Sequence, residues 1–180
     1  GAGDAGAQTS LFDLRELNLP MFSPTLLQDP PESAARLAEA AYGADGLIWS
    51  SPMYHGTISG AFKNAVDWLY LIADRDPPYL ADKVVGLVST AGGTQGLQAV
   101  NTMEFIVRSL RAWAVPLVVP VGPASRVFDA EGSLQDEAAR RQLRTLGTEV
   151  ARVAGLFAAG RLAEIEAECA EAARRVADAA

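Results

Sequence analysis

The chain has 180 residues, of which 49% are hydrophobic and 21% are charged, and this composition indicates one folded domain with a buried core rather than a disordered chain. Its net charge of −7 and its lack of a basic cluster argue against a nucleic-acid or anionic-membrane surface. The single cysteine, Cys169, excludes an internal disulfide, and the single histidine, His55, removes most metal sites and any catalytic triad that needs a second imidazole.

Four short apolar runs, each bounded by turn or polar residues, are predicted to be strands. In chain order they are SLFDL (residues 10–14), GLIWS (46–50), VVGLVS (84–89) and PLVVPV (116–121). The middle two runs are continuously apolar, which is typical of parallel strands covered on both faces.

Helical patterns, with apolar residues three and four positions apart, are predicted between and after these strands. They cover residues 32–42, 58–73, 95–114 and 137–159, and Ser33 is the predicted cap of the first helix. Because strands alternate with helices, we expect right-handed βαβ units and an open, doubly wound parallel sheet of the α/β class. Residues 1–159 are predicted to form this domain.

Two segments depart from the pattern. Residues 18–31 contain four prolines and are predicted to form a long irregular loop. Residues 160–180 are predicted to form a separate helical tail, with Leu162, Ile165, Cys169 and Val176 on one thin apolar stripe. This tail either frays or packs on its own domain, or it docks as an arm on a partner subunit.

Two loops have the composition of a ligand site, and each directly follows a predicted strand. They are SPMYHGT (51–57) and TAGGTQG (90–96). In open α/β sheets, ligands bind outside the carboxyl ends of the strands, where these loops would meet. Glycines permit close approach of the backbone and leave its N–H groups free to donate. A tight turn explains either loop alone, whereas two such loops on adjacent strands favour a ligand site.

These residues resemble a known family. The stretch SSPMYHGTISGAFKNAVDWL (50–69) resembles the signature of the NADPH-dependent FMN reductases, which are flavodoxin-like flavoproteins, and VSTAGGTQGLQAVN (88–101) resembles their second flavin loop. With His55, Gln95, Asn101 and the FDAEG stretch (128–132), the sequence is most similar to the arsenic-resistance flavoprotein branch. The resemblance extends from about residue 10 to about residue 155.

The resemblance implies an oxidoreductase with FMN and NADPH as cofactors. Hydride would pass from the nicotinamide to flavin N5, and an acceptor would then take the same place over the ring. The flavin carries the chemistry, so no catalytic side chain and no metal are expected. The implied cofactor-binding residues are Ser51, Pro52, Met53, Tyr54, His55, Gly56, Thr90, Ala91, Gly92, Gly93 and Gln95.

Several alternatives stay open at this point. The acceptor could be a quinone, a free flavin, an azo dye, a metal oxyanion or an organoarsenical. A flavodoxin-like electron carrier without nicotinamide turnover, or a cofactor-free scaffold, would also suit the fold. His55 either contacts the flavin or second substrate with its ring, or fills a loop position where only its backbone matters.

The resemblance also implies features outside the two loops. A flavodoxin-like sheet has five strands in the order 2-1-3-4-5, and the four predicted strands match the second to the fifth. The first strand and the FMN phosphate loop are therefore expected upstream of Gly1. A homodimer or homotetramer is expected through the helix at 58–73, with Phe62, Trp68, Leu69 and Ile72 at the contact.

Partners and location follow from what the sequence lacks. No apolar stretch reaches the roughly 20 residues of a membrane-spanning helix, and no basic-then-apolar signal opens the chain. We therefore expect a cytoplasmic protein that acts on a small-molecule acceptor, with no membrane or nucleic-acid partner.

Overall fold

The centre of the molecule is a parallel sheet, seen in a computed structural model that describes residues 1–178. Its strands are β1 (Gly46–Tyr54), the short β2 (Thr57–Ile58), β3 (Val84–Thr90) and β4 (Trp113–Val121), in the spatial order β2-β1-β3-β4. β1 and β3 pair in parallel from Gly46 opposite Val84 to Pro52 opposite Thr90, and β4 runs parallel to β3. Three of the four predicted strands and the α/β class are confirmed.

The predicted strand at residues 10–14 is wrong. Residues 10–13 are irregular, and a short helix, α1 (Leu14–Leu17), begins where the strand was expected to end. The Asp13 carboxylate caps this helix by accepting a hydrogen bond from the Arg15 N–H at 2.9 Å. This segment was expected to be an edge strand of the sheet, separated from β1 by one further strand. In the described residues no such strand occurs, and on that side β1 pairs only with β2.

The longer helices follow the predicted pattern, with shifted ends. They are α2 (Glu32–Gly43), α3 (Gly60–Trp68), α4 (Leu97–Ser109) and α6 (Glu137–Asp178), with a short α5 (Ala124–Val127) before the last. α2 begins after Pro31, and Ser33 does not cap it. α3 begins at Gly60 because the Ser59 hydroxyl accepts a hydrogen bond from the Phe62 N–H at 3.2 Å.

Helices cover the two faces of the sheet unequally. α2, α3 and α4 contribute to one apolar cluster, and α6 packs on the opposite face. α6 approaches so closely that a Cβ on Gly86 would lie 2.7 Å from the Val150 side chain. β3 is buried along nearly its whole length, but Ile48 of β1 is 46% exposed. The prediction that both faces are covered is therefore confirmed for β3 and wrong for this part of β1.

The helix α3 holds the proline-rich segment in place. The Trp68 indole N–H donates to the Pro20 carbonyl at 2.9 Å, and the Asn64 amide donates to the same oxygen at 3.0 Å. In return, the Asn64 side-chain oxygen accepts a hydrogen bond from the Phe22 N–H at 2.8 Å. The predicted irregular loop is therefore fixed, although it contains little regular structure.

The proposed subunit contact along this helix needs correction. Phe62, Trp68, Leu69 and Ile72 are all buried in the chain's own core, so they are not available to a second subunit. Lys63 and Asp67, four residues apart on the outer side of the helix, form an ion pair at 2.5 Å.

The last helix continues without a break through Gly160, where a separate tail was predicted. Its last anchor to the domain is Arg161, which donates to the Asp45 carboxylate at 2.7 Å and to the Asp82 carbonyl at 2.9 Å. Residues 162–175, which include Leu162, Ile165 and Cys169 of the stripe, are all exposed. This part of the stripe therefore does not pack on the domain. Residues 179 and 180 of the predicted tail, and the side chain of Val176, lie outside the described part. No helix in residues 1–178 is both long and apolar enough to span a bilayer.

Candidate functional site

Three loops meet at one edge of the sheet. Because β1, β3 and β4 are parallel, their carboxyl ends lie together, and the loops that follow them are neighbours. The first is the turn between β1 and β2, the second precedes α4 at residues 91–96, and the third at 122–127 contains α5. Sequence patterns predicted the first two.

The first loop is a two-residue hairpin turn. Tyr54 pairs with Thr57 across it, and the central residues His55 and Gly56 have φ angles of 49° and 86°. Positive φ at both central positions is the signature of a type I′ turn, for which Asn-Gly is the most favoured sequence. The backbone at residue 55 must therefore adopt a positive φ angle. This requirement favours the interpretation that His55 fills a turn position in which only its backbone matters.

Buried hydroxyls close the base of the first loop. Ser51 is fully buried, and its Oγ accepts a hydrogen bond from the Ser59 N–H and donates to the Pro52 carbonyl, both at 3.0 Å. Ser51, predicted to bind the cofactor, thus uses its hydroxyl to shape the loop. Above it, the Tyr54 ring is 60% exposed, and the Met53 sulfur accepts a hydrogen bond from the Gly56 N–H at 3.3 Å.

The second loop is closed in a similar way. The buried Ser89 hydroxyl donates to the Gly96 carbonyl at 2.7 Å, across the base of the loop. Ala91 has both backbone groups engaged, since its N–H donates to Val121 and its carbonyl accepts from Ala124. Ala91, one of the implied cofactor-binding residues, therefore uses both backbone groups to hold the loop in place.

The tip of the second loop is open. Gly92 and Gly93 are exposed, nothing lies within 4 Å of a Cβ added to either, and their N–H groups form no hydrogen bond within the described residues. Thr90 is partly buried below them, and Gln95 is exposed beside them.

The loops contact one another and α4. Thr57 and Thr102 share a hydrogen bond between their hydroxyls at 3.2 Å, so the first loop is tied to α4. A Cβ on Gly122 would lie 2.6 Å from the Gly93 carbonyl oxygen, so the second and third loops touch through their backbones. The three loops therefore form one continuous surface.

The third loop was missed, although its signal was present in the sequence. Gly122 and Pro123 follow the predicted strand PLVVPV directly, just as Pro52 and Gly56 follow GLIWS and three glycines follow VVGLVS. The side chains of Ser125 and Arg126 are exposed on this loop, while Val127 anchors it in the core.

The chemistry of this surface suits a planar ring rather than proton transfer by the protein. The loops at 51–59 and 90–97 contain no aspartate, glutamate, lysine or arginine. An exposed aromatic ring and free backbone N–H groups fit a flat ligand with carbonyl oxygens at its edge. Burial, with repulsion from Arg161, lowers the pKa of Lys83, but Lys83 lies at the opposite edge, just before β3. No group of three potential metal ligands occurs among residues 1–178.

The parallel sheet, with a loop site at its carboxyl edge, defines a flavodoxin-like α/β protein. FerB, a flavoenzyme NAD(P)H:(acceptor) oxidoreductase from Paracoccus denitrificans, superposes with a TM-score of 0.57 and 21% identity over 80% of this chain and 85% of that one. An oxidoreductase from Corynebacterium diphtheriae gives a TM-score of 0.60 and 19% identity over 79% of this chain and 72% of that one. Similarity at this level of identity establishes the fold.

Sequence comparison establishes the family. The model of the NADPH-dependent FMN reductases matches residues 1–125, and the chain belongs to that family, as its motifs predicted. It is 32% identical over 133 residues to the NADPH-dependent FMN reductase ArsH of Acidithiobacillus ferrooxidans, covering 74% of this chain and 54% of that protein. It is 33% identical over 141 residues to an FMN-dependent NADPH-azoreductase of Staphylococcus aureus, covering 76% of this chain and 72% of the relative. The chain thus spans about half the length of the ArsH relatives that it matches.

Proposed function

We propose that this chain forms the flavin site of an FMN-dependent oxidoreductase that uses NADPH. The observation that carries the proposal is the continuous surface at the carboxyl edge, where the exposed Tyr54 ring and the free N–H groups of Gly92 and Gly93 lie on loops with closed bases. Membership of the NADPH-dependent FMN reductase family supports the same chemistry.

The chain's residues position the ring and shield one side of it. Residues 52–56 would contact one side of FMN, and Gly92 and Gly93 would donate hydrogen bonds to its carbonyl oxygens. FMN, when bound, supplies the redox chemistry, taking hydride from NADPH and passing electrons to an acceptor. The buried hydroxyls of Ser51 and Ser89 keep both loops in their binding conformation, which lowers the conformational cost of binding.

The proposed acceptor is a small molecule such as a quinone, a flavin or an azo compound. The azoreductase relatives support the last of these. The electron-carrier alternative differs in one measurable property, because a carrier would bind flavin without steady-state NADPH oxidation.

The test is a flavin titration followed by reduction. We expect the purified protein to bind FMN, and NADPH added without oxygen to bleach the bound flavin, with turnover when a quinone is supplied. Flavin binding without NADPH oxidation would support the carrier instead. A protein that takes up no FMN would overturn the proposal.

Two substitutions in the hairpin distinguish a ring contact from a backbone requirement. We expect Tyr54→Ala to raise the Kd for FMN about fivefold to tenfold, because an aromatic contact contributes about 1 kcal/mol. His55→Asn is the matched control, since asparagine adopts positive φ readily and the Kd should stay within about twofold. Fluorescence titration measures both values. An unchanged Kd in Tyr54→Ala would remove Tyr54 from the site.

We also propose a homodimer or homotetramer. The subunit contact is placed on the outer surface of α3 and α4, the helices that cover one face of the sheet, rather than on the buried residues of α3. Phe105 of α4 is 73% exposed, and Tyr70, just beyond the end of α3, is exposed on the same side of the sheet. Light scattering at micromolar concentration should report a dimer or tetramer, and Phe105→Glu should weaken it. A wild-type monomer would contradict this proposal.

A further inference from the structure

The three loops of the site differ in charge from the rest of the molecule. No aspartate or glutamate occurs at 51–59, 90–97 or 121–128, although the chain as a whole carries a net charge of −7. Within these ranges Arg126 is the one lysine or arginine. The nearest acid along the chain is Asp129, whose carboxylate already accepts hydrogen bonds from the Ser133 N–H and the Gln135 amide. Arg126 is therefore the single cation on three loops that carry no acid, and this charge favours anionic ligands at this edge.

Arg126 lies on a rigid support beside the open tip of the second loop. The Ala124 N–H donates to the Ala91 carbonyl at 2.8 Å, and Gly122 packs against the Gly93 carbonyl. On the other side of Arg126, Val127 is buried in the core. The backbone of α5 is therefore held at both ends, while the side chains of Ser125 and Arg126 remain exposed.

The guanidinium of Arg126 is available to a ligand. It forms no ion pair and no hydrogen bond to any residue in the described part of the chain, unlike Arg161, which is bonded to Asp45. A guanidinium offers a fork of N–H donors that matches the oxygens of a phosphate group, and a serine hydroxyl adds one further donor.

We propose that Arg126, assisted by Ser125, binds a phosphate group of NADPH and so orients the dinucleotide at the flavin surface. This inference rests on the proposed function, since it requires NADPH at the site. NADPH carries phosphates at a distance from its reacting ring, and the first and second loops, which contact the flavin in the proposal, offer no cation for them. α5 follows β4, on the far side of β3 from the hairpin, where a second ligand could extend beyond the flavin.

The test compares two arginine variants with the same change in charge. Arg126→Gln is the test, and Arg108→Gln is the control, because Arg108 is exposed in the last turn of α4, at the opposite edge of the sheet. The readouts are KM and kcat for NADPH, and the Kd for NADP⁺ measured by calorimetry on the FMN-loaded protein. The Kd for FMN is measured separately on each variant.

We expect Arg126→Gln to raise the KM for NADPH and the Kd for NADP⁺ about tenfold, because a charge-assisted bond of about 1.4 kcal/mol is lost. The kcat and the Kd for FMN should stay within about twofold, since the interaction is equal in the ground and transition states. Arg108→Gln should change none of these values by more than about twofold. An equal effect on NADH would assign Arg126 to the pyrophosphate, and an effect on NADPH alone would assign it to the 2′-phosphate; either supports the proposal.

Two results would overturn it. One is a KM and an NADP⁺ Kd that are unchanged in Arg126→Gln. The other is a loss of FMN affinity in that variant, which would assign Arg126 to the flavin phosphate. If the wild-type protein neither binds FMN nor oxidises NADPH, the proposed function fails as well, whereas a working wild type with an unaffected variant contradicts only the role of Arg126.

Discussion

Replacing Trp68 with alanine is expected to lower the free energy of unfolding by about 3–5 kcal/mol, a large fraction of the stability of a domain of this size. Trp68 is fully buried, its ring meets Phe22 edge-on at 5.3 Å, and its indole N–H donates to the Pro20 carbonyl. The substitution therefore removes a large apolar contact and one of the bonds that fix the proline-rich segment. Urea denaturation measures the change, with an unaltered m-value as the sign that the unfolding mechanism is the same.

Two further tryptophan variants separate the contributions. Trp113 is 58% exposed and packs on Phe157, so Trp113→Ala is the control and should cost less than about 1.5 kcal/mol. Trp68→Phe keeps much of the ring but loses the bond to Pro20, and should cost about 1–3 kcal/mol. Equal losses in Trp68→Ala and Trp113→Ala would contradict the assignment of Trp68 as the anchor.

Most of the sheet could be predicted because its strands are marked locally. The runs GLIWS and VVGLVS are apolar and bounded by turn residues, and the helices between them have clear periodicity. These signals depend on each segment's own residues and on burial, which the structure confirms for β3. The family motifs within the two loops are equally local, which is why the family was recognised from them.

The errors concern interactions between distant segments. The run SLFDL has a strand-like composition, but a strand also needs a neighbour for its backbone hydrogen bonds, and no local pattern supplies one. In the described residues no strand pairs with this run, and the Asp13 carboxylate caps a short helix that begins at Leu14. The apolar residues of α3 were likewise assigned to a subunit contact, because periodicity shows that a helix has an apolar face but not what covers it.

The hydrogen bonds that hold the loops of the site in place could not be predicted from the sequence either. From the sequence, Ser51 is predicted to contact the ligand. Its hydroxyl meets the Ser59 N–H only when β2 folds back on β1. The bond from Ser89 to Gly96 depends in the same way on the path of the second loop. Such hydroxyls stabilise the bases of the loops, and their hydrogen bonds can be recognised only once the folded path of each loop is known.

Gly122→Ala is expected to damage the proposed flavin site more than any other small substitution in the third loop. A Cβ on Gly122 would lie 2.6 Å from the Gly93 carbonyl oxygen and 3.0 Å from that of Ala91. Both are backbone atoms that no side-chain rotation can move away, so the second and third loops must separate. The N–H groups of Gly92 and Gly93 would then leave the positions in which they are proposed to meet the flavin. We expect the Kd for FMN to rise about tenfold or more and the apoprotein to lose about 1–3 kcal/mol from overpacking.

The matched control is Gly155→Ala. Gly155 lies within α6, and nothing lies within 4 Å of a Cβ added there. That variant should therefore gain about 0.5–1 kcal/mol through the higher helix propensity of alanine, with unchanged affinity for FMN. The stability of the apoprotein, measured by urea denaturation, makes the comparison independent of flavin. If Gly122→Ala matched Gly155→Ala in both stability and FMN affinity, the close backbone contact between the second and third loops would not govern the site.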